Sequence, residues 1–167
     1  MIALLSPVPA SVRVSDHWQR VATEQHRAHN GVDFACAKGT PLRAPSAGRV
    51  AFAGPLESSP GSGIALGVRA VVDGHDVFWS FAHLSAALKP PGSTVQRGEV
   101  VALSGNTGDV RGRRRDGSIG APTEAEPNVG AHLHFRVDID GVNVDPLPLL
   151  VNASGSPILA LVLAAAA

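Results

Sequence analysis

The chain predicts an all-β protein, a small antiparallel sheet closed into a barrel-like sandwich, and three observations carry that prediction. Helical periodicity is weak along its 167 residues, while 18 Gly and 13 Pro cut it into short runs rich in Val, Ile, Leu and Phe. The stretch Ala131-His132-Leu133-His134-Phe135-Arg136-Val137-Asp138-Ile139-Asp140 alternates apolar and polar at every position, the period of a half-buried strand. Asp73-Gly74 stands between two β-rich runs as the turn of a hairpin. In chain order, strands are expected at residues 49–53, 64–72, 75–82, 100–104 and 132–139, with a short helical turn at 85–88 before Pro90-Pro91. A faint internal echo relates Ala47-Gly48-Arg49-Val50 and Gly54 to Arg97-Gly98-Glu99-Val100 and Gly105, each a turn glycine, a strand and a closing glycine. Residues 109–129 break the rhythm with Arg111, Arg113, Arg114, Arg115, several Gly and Pro, and little apolar content. They read as a long loop. An arginine run is usually a solvated face, but a loop of this length that ends just before His132 is a candidate for the rim of a site.

Length and composition fit one domain over residues 1–167 with room for a sizeable core. Lys plus Arg and Asp plus Glu stand at 14 each, so the net charge offers no steering field for nucleic acid or an anionic membrane. The single cysteine, Cys36, excludes an internal disulfide and shares the apolar face of Val32 and Phe34, which makes it a buried small hydrophobe. Met1-Ile2-Ala3-Leu4-Leu5 lacks a basic start and meets Pro7 and Pro9, so no secretion signal is read there. The apolar C-terminal tail, 151–167, is too short for a membrane span, which needs about 20 residues. A monomer is expected.

Four of the seven histidines fall in three pieces: His29-Asn30-Gly31-Val32-Asp33, Phe81-Ala82-His83-Leu84-Ser85 and His132-Leu133-His134. On the alternating strand Leu133, Phe135 and Val137 face a core, so His132 and His134 share the opposite side with Arg136. Two imidazoles on one rigid strand can meet one metal, or divide between a metal and a substrate. A catalytic zinc site takes three protein ligands and leaves a fourth position open, and His29, Asp33 and His134 supply such a set. Gly31 places 29–33 on a turn entering a strand rather than on a helix, where glycine costs about 1 kcal/mol relative to Ala. His83 and His132 remain for proton transfer or for stabilising a developing oxyanion. His26 lies three residues before His29 and competes as a ligand without the same Gly-to-Asp spacing. His17, His26 and His75 read as surface or loop residues. Each piece alone is a frequent accident; their order along one chain is not.

Those pieces, with Gly39-Thr40-Pro41, Ala47-Gly48-Arg49-Val50, Val95-Gln96-Arg97-Gly98-Glu99-Val100, Gly105-Asn106-Thr107-Gly108 and Val144-Asp145-Pro146, resemble the lysostaphin-type (LytM-like) zinc endopeptidases that act on bacterial peptidoglycan. The resemblance spans about 26–150, the expected core of the domain. It implies an antiparallel β core of the duplicated hybrid motif type, with long loops flanking a groove. It also implies one zinc ion on His29, Asp33 and His134, and His83 with His132 as the catalytic pair. The implied activity is hydrolysis of a peptide bond in peptidoglycan stems or cross-links, by a wall-lytic enzyme of phage or bacterial origin that reaches the wall through lysis or another export route. Three departures stand out: Phe81 where relatives commonly have tyrosine, Arg136 where they have glutamate, and the stretched 109–129 segment. Two other readings compete. A catalytically silent relative serving as a wall-binding or regulatory scaffold would have no need of all five residues, and a lipoyl-type carrier would need a lysine at a hairpin tip, which neither Lys38 nor Lys89 provides.

Overall fold

A computed structural model describes residues 2–24 and 27–158, so His26 and most of the apolar tail (159–167) lie outside the described residues. Among the described residues the regular elements are strands and two 3-10 turns, Pro60–Ser62 and Leu147–Leu149. The strands are β1 (Leu4–Leu5), β2 (Val14–Asp16), β3 (Val32–Phe34), β4 (Pro41–Arg43), β5 (Gly48–Pro55), β6 (Ile64–Val72), β7 (His75–Leu84), β8 (Ala86–Ala87), β9 (Thr94–Val95), β10 (Val100–Leu103), β11 (Gly112–Arg113), β12 (Ile119–Gly120), β13 (Leu133–Ile139), β14 (Val142–Val144) and β15 (Leu150–Val151). The main sheet runs β2-β3-β13-β7-β6-β5-β9, with β14 beside the second half of β13. A smaller sheet, β4-β10-β8, accompanies it. No helix is long and apolar enough to cross a membrane among the described residues.

The β6–β7 hairpin forms where the sequence asks for it. Asp73 (φ 50°) and Gly74 (φ 82°) both adopt the positive φ that a two-residue hairpin turn requires, and Val72 pairs with His75 across it. Alternation then sorts the side chains. Val77, Trp79 and Phe81 of β7 and Leu133, Phe135 and Val137 of β13 are all buried, each contributing about 1.5–3 kcal/mol from lost apolar exposure. The Phe81 ring packs 5.1 Å from Trp79 and 5.6 Å from Phe135, centroid to centroid. Phe81, one of the three departures from the resemblance, is therefore part of the core. Trp79 satisfies its buried indole by donating to Ser46 Oγ at 3.0 Å.

Within residues 85–88 the pair Ala86–Ala87 forms strand β8 in place of the expected helical turn. The amides of Ser85 and Leu88 donate to the carbonyls of Leu103 and Val101 at 3.0 and 2.9 Å, so pairing with distant β10 wins over a local turn. The packed elements also reach beyond 26–150. β1 pairs in parallel with β15, and Ile158 is buried, which draws both ends of the described chain into one core cluster. Cys36 is buried, and desolvation raises its thiol pKa. Within the long 109–129 segment β11 and β12 pair as a short hairpin, a feature too brief to show in the alternation.

Candidate metal centre

Asp33 and His134 face each other as a cross-strand pair of β3 and β13, and β7 lies on the other side of β13 with Ala82 opposite His134. His29 sits just before β3, held by two 2.8 Å backbone hydrogen bonds exchanged with Gln19. These placements bring three atoms into one triangle. His29 Nε2 lies 3.1 Å from His134 Nδ1 and 3.2 Å from Asp33 Oδ1, and His134 Nδ1 lies 2.9 Å from the same Oδ1. A tetrahedron with metal–ligand bonds of about 2.0–2.1 Å has edges of about 3.3 Å, so the spacing suits a small divalent cation.

The outer faces of both rings fix their tautomers. His29 Nδ1 donates to the His17 carbonyl at 2.9 Å, and His134 Nε2 donates to Asn30 Oδ1 at 3.1 Å. With those nitrogens carrying the protons, His29 Nε2 and His134 Nδ1 point lone pairs at the Asp33 carboxylate. Three acceptors so close repel one another unless a cation lies among them, and the donor set therefore fits a metal ion. When no cation lies among them, protons on the inner nitrogens take its place: burial raises the Asp33 pKa, but hydrogen bonds from the protonated His134 and His29 rings outweigh it and hold the carboxyl far below the usual range. Burial lowers the His29 pKa, but Asp33 and the His17 carbonyl outweigh it and raise the net value.

The other two histidines stand next to this triangle. His83, the last residue but one of β7, has φ 60°, a left-handed conformation of the kind stored at functional sites, and its Nδ1 donates to the Thr107 carbonyl at 3.0 Å. His132 Nδ1 donates to the Gly130 carbonyl at 2.7 Å. Both therefore keep Nε2 free. The two ring centroids are 4.6 Å apart, and His132 Nε2 comes within 3.7 Å of Asp33 Oδ2. Burial and the neighbouring His132 push the His83 pKa down to about 4, so its ring is neutral at neutral pH. All five side chains line one groove of about 1370 Å³.

Several residues that hold this arrangement escape sequence reasoning. Thr107 Oγ1 donates to the Leu84 carbonyl at 2.7 Å and receives the Ile64 amide at 2.9 Å, which anchors the end of β7. Gly105 bridges His132, and Asn106 holds the end of the long loop through the carbonyls of Pro127 and Val129 at 2.8 and 3.1 Å. Asn143 receives the Trp18 indole at 2.8 Å and donates to the Asn30 carbonyl at 3.0 Å. For 105–108 the forewarning was the motif Gly105-Asn106-Thr107-Gly108 within the resemblance, turn chemistry to which no task was assigned. Arg136 shares the histidine face but forms a fork with Asp138 at 3.0–3.2 Å, so its charge is met two residues away rather than in the groove. His75 binds Asp140 at 2.7 Å on the surface, and His17 contributes its carbonyl rather than its ring.

Residues 27–146 match Peptidase family M23, and the chain belongs to that family of lysostaphin-like metallopeptidases. It is 31% identical over 157 residues to an uncharacterized metalloprotease of Haemophilus influenzae, covering 90% of this chain and 28% of that protein. It is 32% identical over 154 residues to the peptidoglycan DD-endopeptidase ShyA of Vibrio cholerae, covering 90% of this chain and 30% of the relative. The chain thus spans less than a third of the length of these curated relatives. Among solved structures it resembles a zinc-containing peptidase from Vibrio cholerae, with a TM-score of 0.65, 26% identity, and coverage of 86% of this chain and 39% of that one. The catalytic domain of lysostaphin from Staphylococcus simulans shares the fold, with a TM-score of 0.59, 24% identity, and coverage of 82% and 90%.

Proposed function

We propose that the chain is the catalytic domain of a zinc-dependent endopeptidase that hydrolyses peptide bonds in bacterial peptidoglycan and acts at the cell wall. The observation that carries this reading is the triangle of His29 Nε2, Asp33 Oδ1 and His134 Nδ1 beside two further imidazoles with free Nε2 atoms. His29, Asp33 and His134 would hold the zinc ion. Zinc, when bound, supplies Lewis acidity toward water and the scissile carbonyl. The remaining chemistry belongs to the chain's own groups. His132 and His83 take up and return protons at Nε2, and a protonated Nε2 donates a hydrogen bond to negative charge developing on the carbonyl oxygen. Their Nδ1 bonds to Gly130 and Thr107 keep both rings aimed at the groove, so little reorganisation is needed as the bond is attacked. The relatives named for peptidoglycan endopeptidase activity favour the wall peptide as substrate.

Zinc analysis of the purified protein, with a turbidity assay on isolated cell walls, tests this reading. The expected result is one zinc per chain and clearing that a chelator stops and added zinc restores. Clearing that persists at full rate after complete zinc removal would sink the proposal.

A further inference from the structure

The long loop carries four arginines within five residues, yet the structure divides them. Arg113 donates to the Gly117 carbonyl at 3.2 Å, Arg114 to the Ala121 carbonyl at 2.9 Å, and Arg115 pairs with Glu126 at 3.8 Å. These three serve the loop. Arg111 alone of the four lines the groove, where it is joined by Arg13, Arg20 and Arg27. All four are exposed, and none forms an ion pair among the described residues.

Their attachment to the site is short in every case. Arg13 accepts the Ala35 amide at 3.0 Å beside β3, and Arg20 follows Gln19, the backbone partner of His29. Arg27 precedes His29 by two residues, and the backbone of Arg111 lies against Gly130, two residues before His132. The chain as a whole is neutral, so this is a local concentration of charge. Asp16 and Asp109 also line the groove, while Asp33 is committed to the metal triangle, which leaves the rim cationic. A groove of about 1370 Å³ exceeds the roughly 300–1,000 Å³ of small-molecule pockets and suits an extended chain.

We propose that Arg13, Arg20, Arg27 and Arg111 form a carboxylate-reading rim, which selects acidic peptides with free carboxylates flanking the scissile bond over neutral, glycine-rich bridges. Guanidinium groups take carboxylates in two-point hydrogen-bonded pairs and, being unpaired here, give up no existing ion pair to do so. The inference deepens the proposed peptidase function and rests on it, because the arginines surround the groove in which the peptide bond would lie. A peptide is favoured over a polyanionic wall polymer because every arginine is tied within two residues to a segment holding a site histidine or Asp33.

Two dye-labelled peptides of one sequence decide the matter, one with free glutamyl carboxylates and one fully amidated. Their binding to the zinc-loaded and to the chelator-treated protein is read by fluorescence anisotropy at low and high salt. The free-carboxylate peptide is expected to bind about tenfold more tightly at low salt, with or without zinc, and to lose that margin at high salt. The double variant R27E/R111E should lose the preference while binding the amidated peptide as before, and R113E should keep it. Equal affinity of the unmodified protein for both peptides overturns the rim, whatever the variants do. So does displacement of the acidic peptide by poly(glycerol phosphate) at a lower concentration than by the unlabelled peptide itself. A clear preference without cleavage of any peptide would support the rim and overturn the peptidase reading, whereas cleavage of both peptides with equal kcat/KM and equal affinity would do the reverse.

Discussion

Gly31 lies against the ring of His134: a Cβ built on this glycine would stand 2.8 Å from Cε1 and 2.9 Å from Nε2 of the imidazole, and 2.5 Å from the carbonyl oxygen of Phe135. Its φ is not in the left-handed region, so the reason for glycine here is space rather than backbone freedom. The turn between His29 and Asp33 can approach β13 closely enough to share a cation with His134 only if this position has no side chain. Gly31→Ala is expected to push the His134 ring out of the triangle, to weaken zinc binding strongly, and to destabilise the fold by about 1–3 kcal/mol through overpacking. Zinc content and chemical denaturation measure both effects. An alanine variant with parental zinc affinity would show that the contact is easily relieved.

Ligands and proton-transfer groups separate by metal content. Alanine at His29, Asp33 or His134 should abolish stoichiometric zinc, because each removes one corner of a three-point site. Alanine at His132 or His83 should leave zinc bound and lower turnover by about 10²–10⁴-fold. Elemental analysis alongside wall-clearing rates distinguishes the two groups. Should His132→Ala clear walls at the parental rate, the proton-transfer role would pass to His83 alone.

Asn30 governs which nitrogen His134 presents. Its side-chain oxygen accepts from His134 Nε2 at 3.1 Å, which keeps the Nδ1 lone pair facing Asp33. Asn30→Ala should lower zinc affinity by about 10–100-fold, the usual effect of removing an outer partner of a metal-bound histidine. Competition with a chromophoric chelator measures it. Unchanged affinity would mean that packing alone orients the ring.

The surface pair His75–Asp140 makes a mild acid-sensitive clasp between the β6–β7 turn and the end of β13. The hydrogen bond from His75, followed by that from the Asp76 amide, lowers the Asp140 pKa below its ordinary 3.8. A carboxyl depressed in the folded state stabilises above its unfolded pKa, and that stabilisation is lost as pH falls through the lower folded value. Asp140→Asn, which tolerates the positive φ of 50° at this position, should therefore melt slightly below the parent at neutral pH. The gap should close as pH drops below 3.8 and shrink in high salt. Melting curves across that range check it, and a gap that widens toward acid would contradict the assignment.

Much of this protein was legible before folding was considered. The run 131–140 declared its strand because a sheet with one buried face imposes a period of two, and Asp73-Gly74 declared its hairpin because few residue pairs tolerate two positive φ values. The 85–88 segment was misread because its pairing partner, β10, is named nowhere in its own residues. The five site residues could be nominated from ligand chemistry and order, and the structure brings all five to one groove.

Chain order and residue chemistry by themselves determined the all-β class, the strands of the main hairpin and the list of candidate site residues. Only the tertiary structure decided which atoms of those residues meet. It turned His134 by Nδ1 and His29 by Nε2 toward Asp33, closed the space at Gly31 to any side chain, buried Phe81, and sent one loop arginine of four to the groove. The physical reason is that periodicity reports which face a residue occupies, whereas a tautomer, a ring rotation or a free guanidinium depends on partners that can lie more than a hundred positions away. His134 and Asn30, 104 residues apart and joined by one 3.1 Å hydrogen bond, are the plainest case.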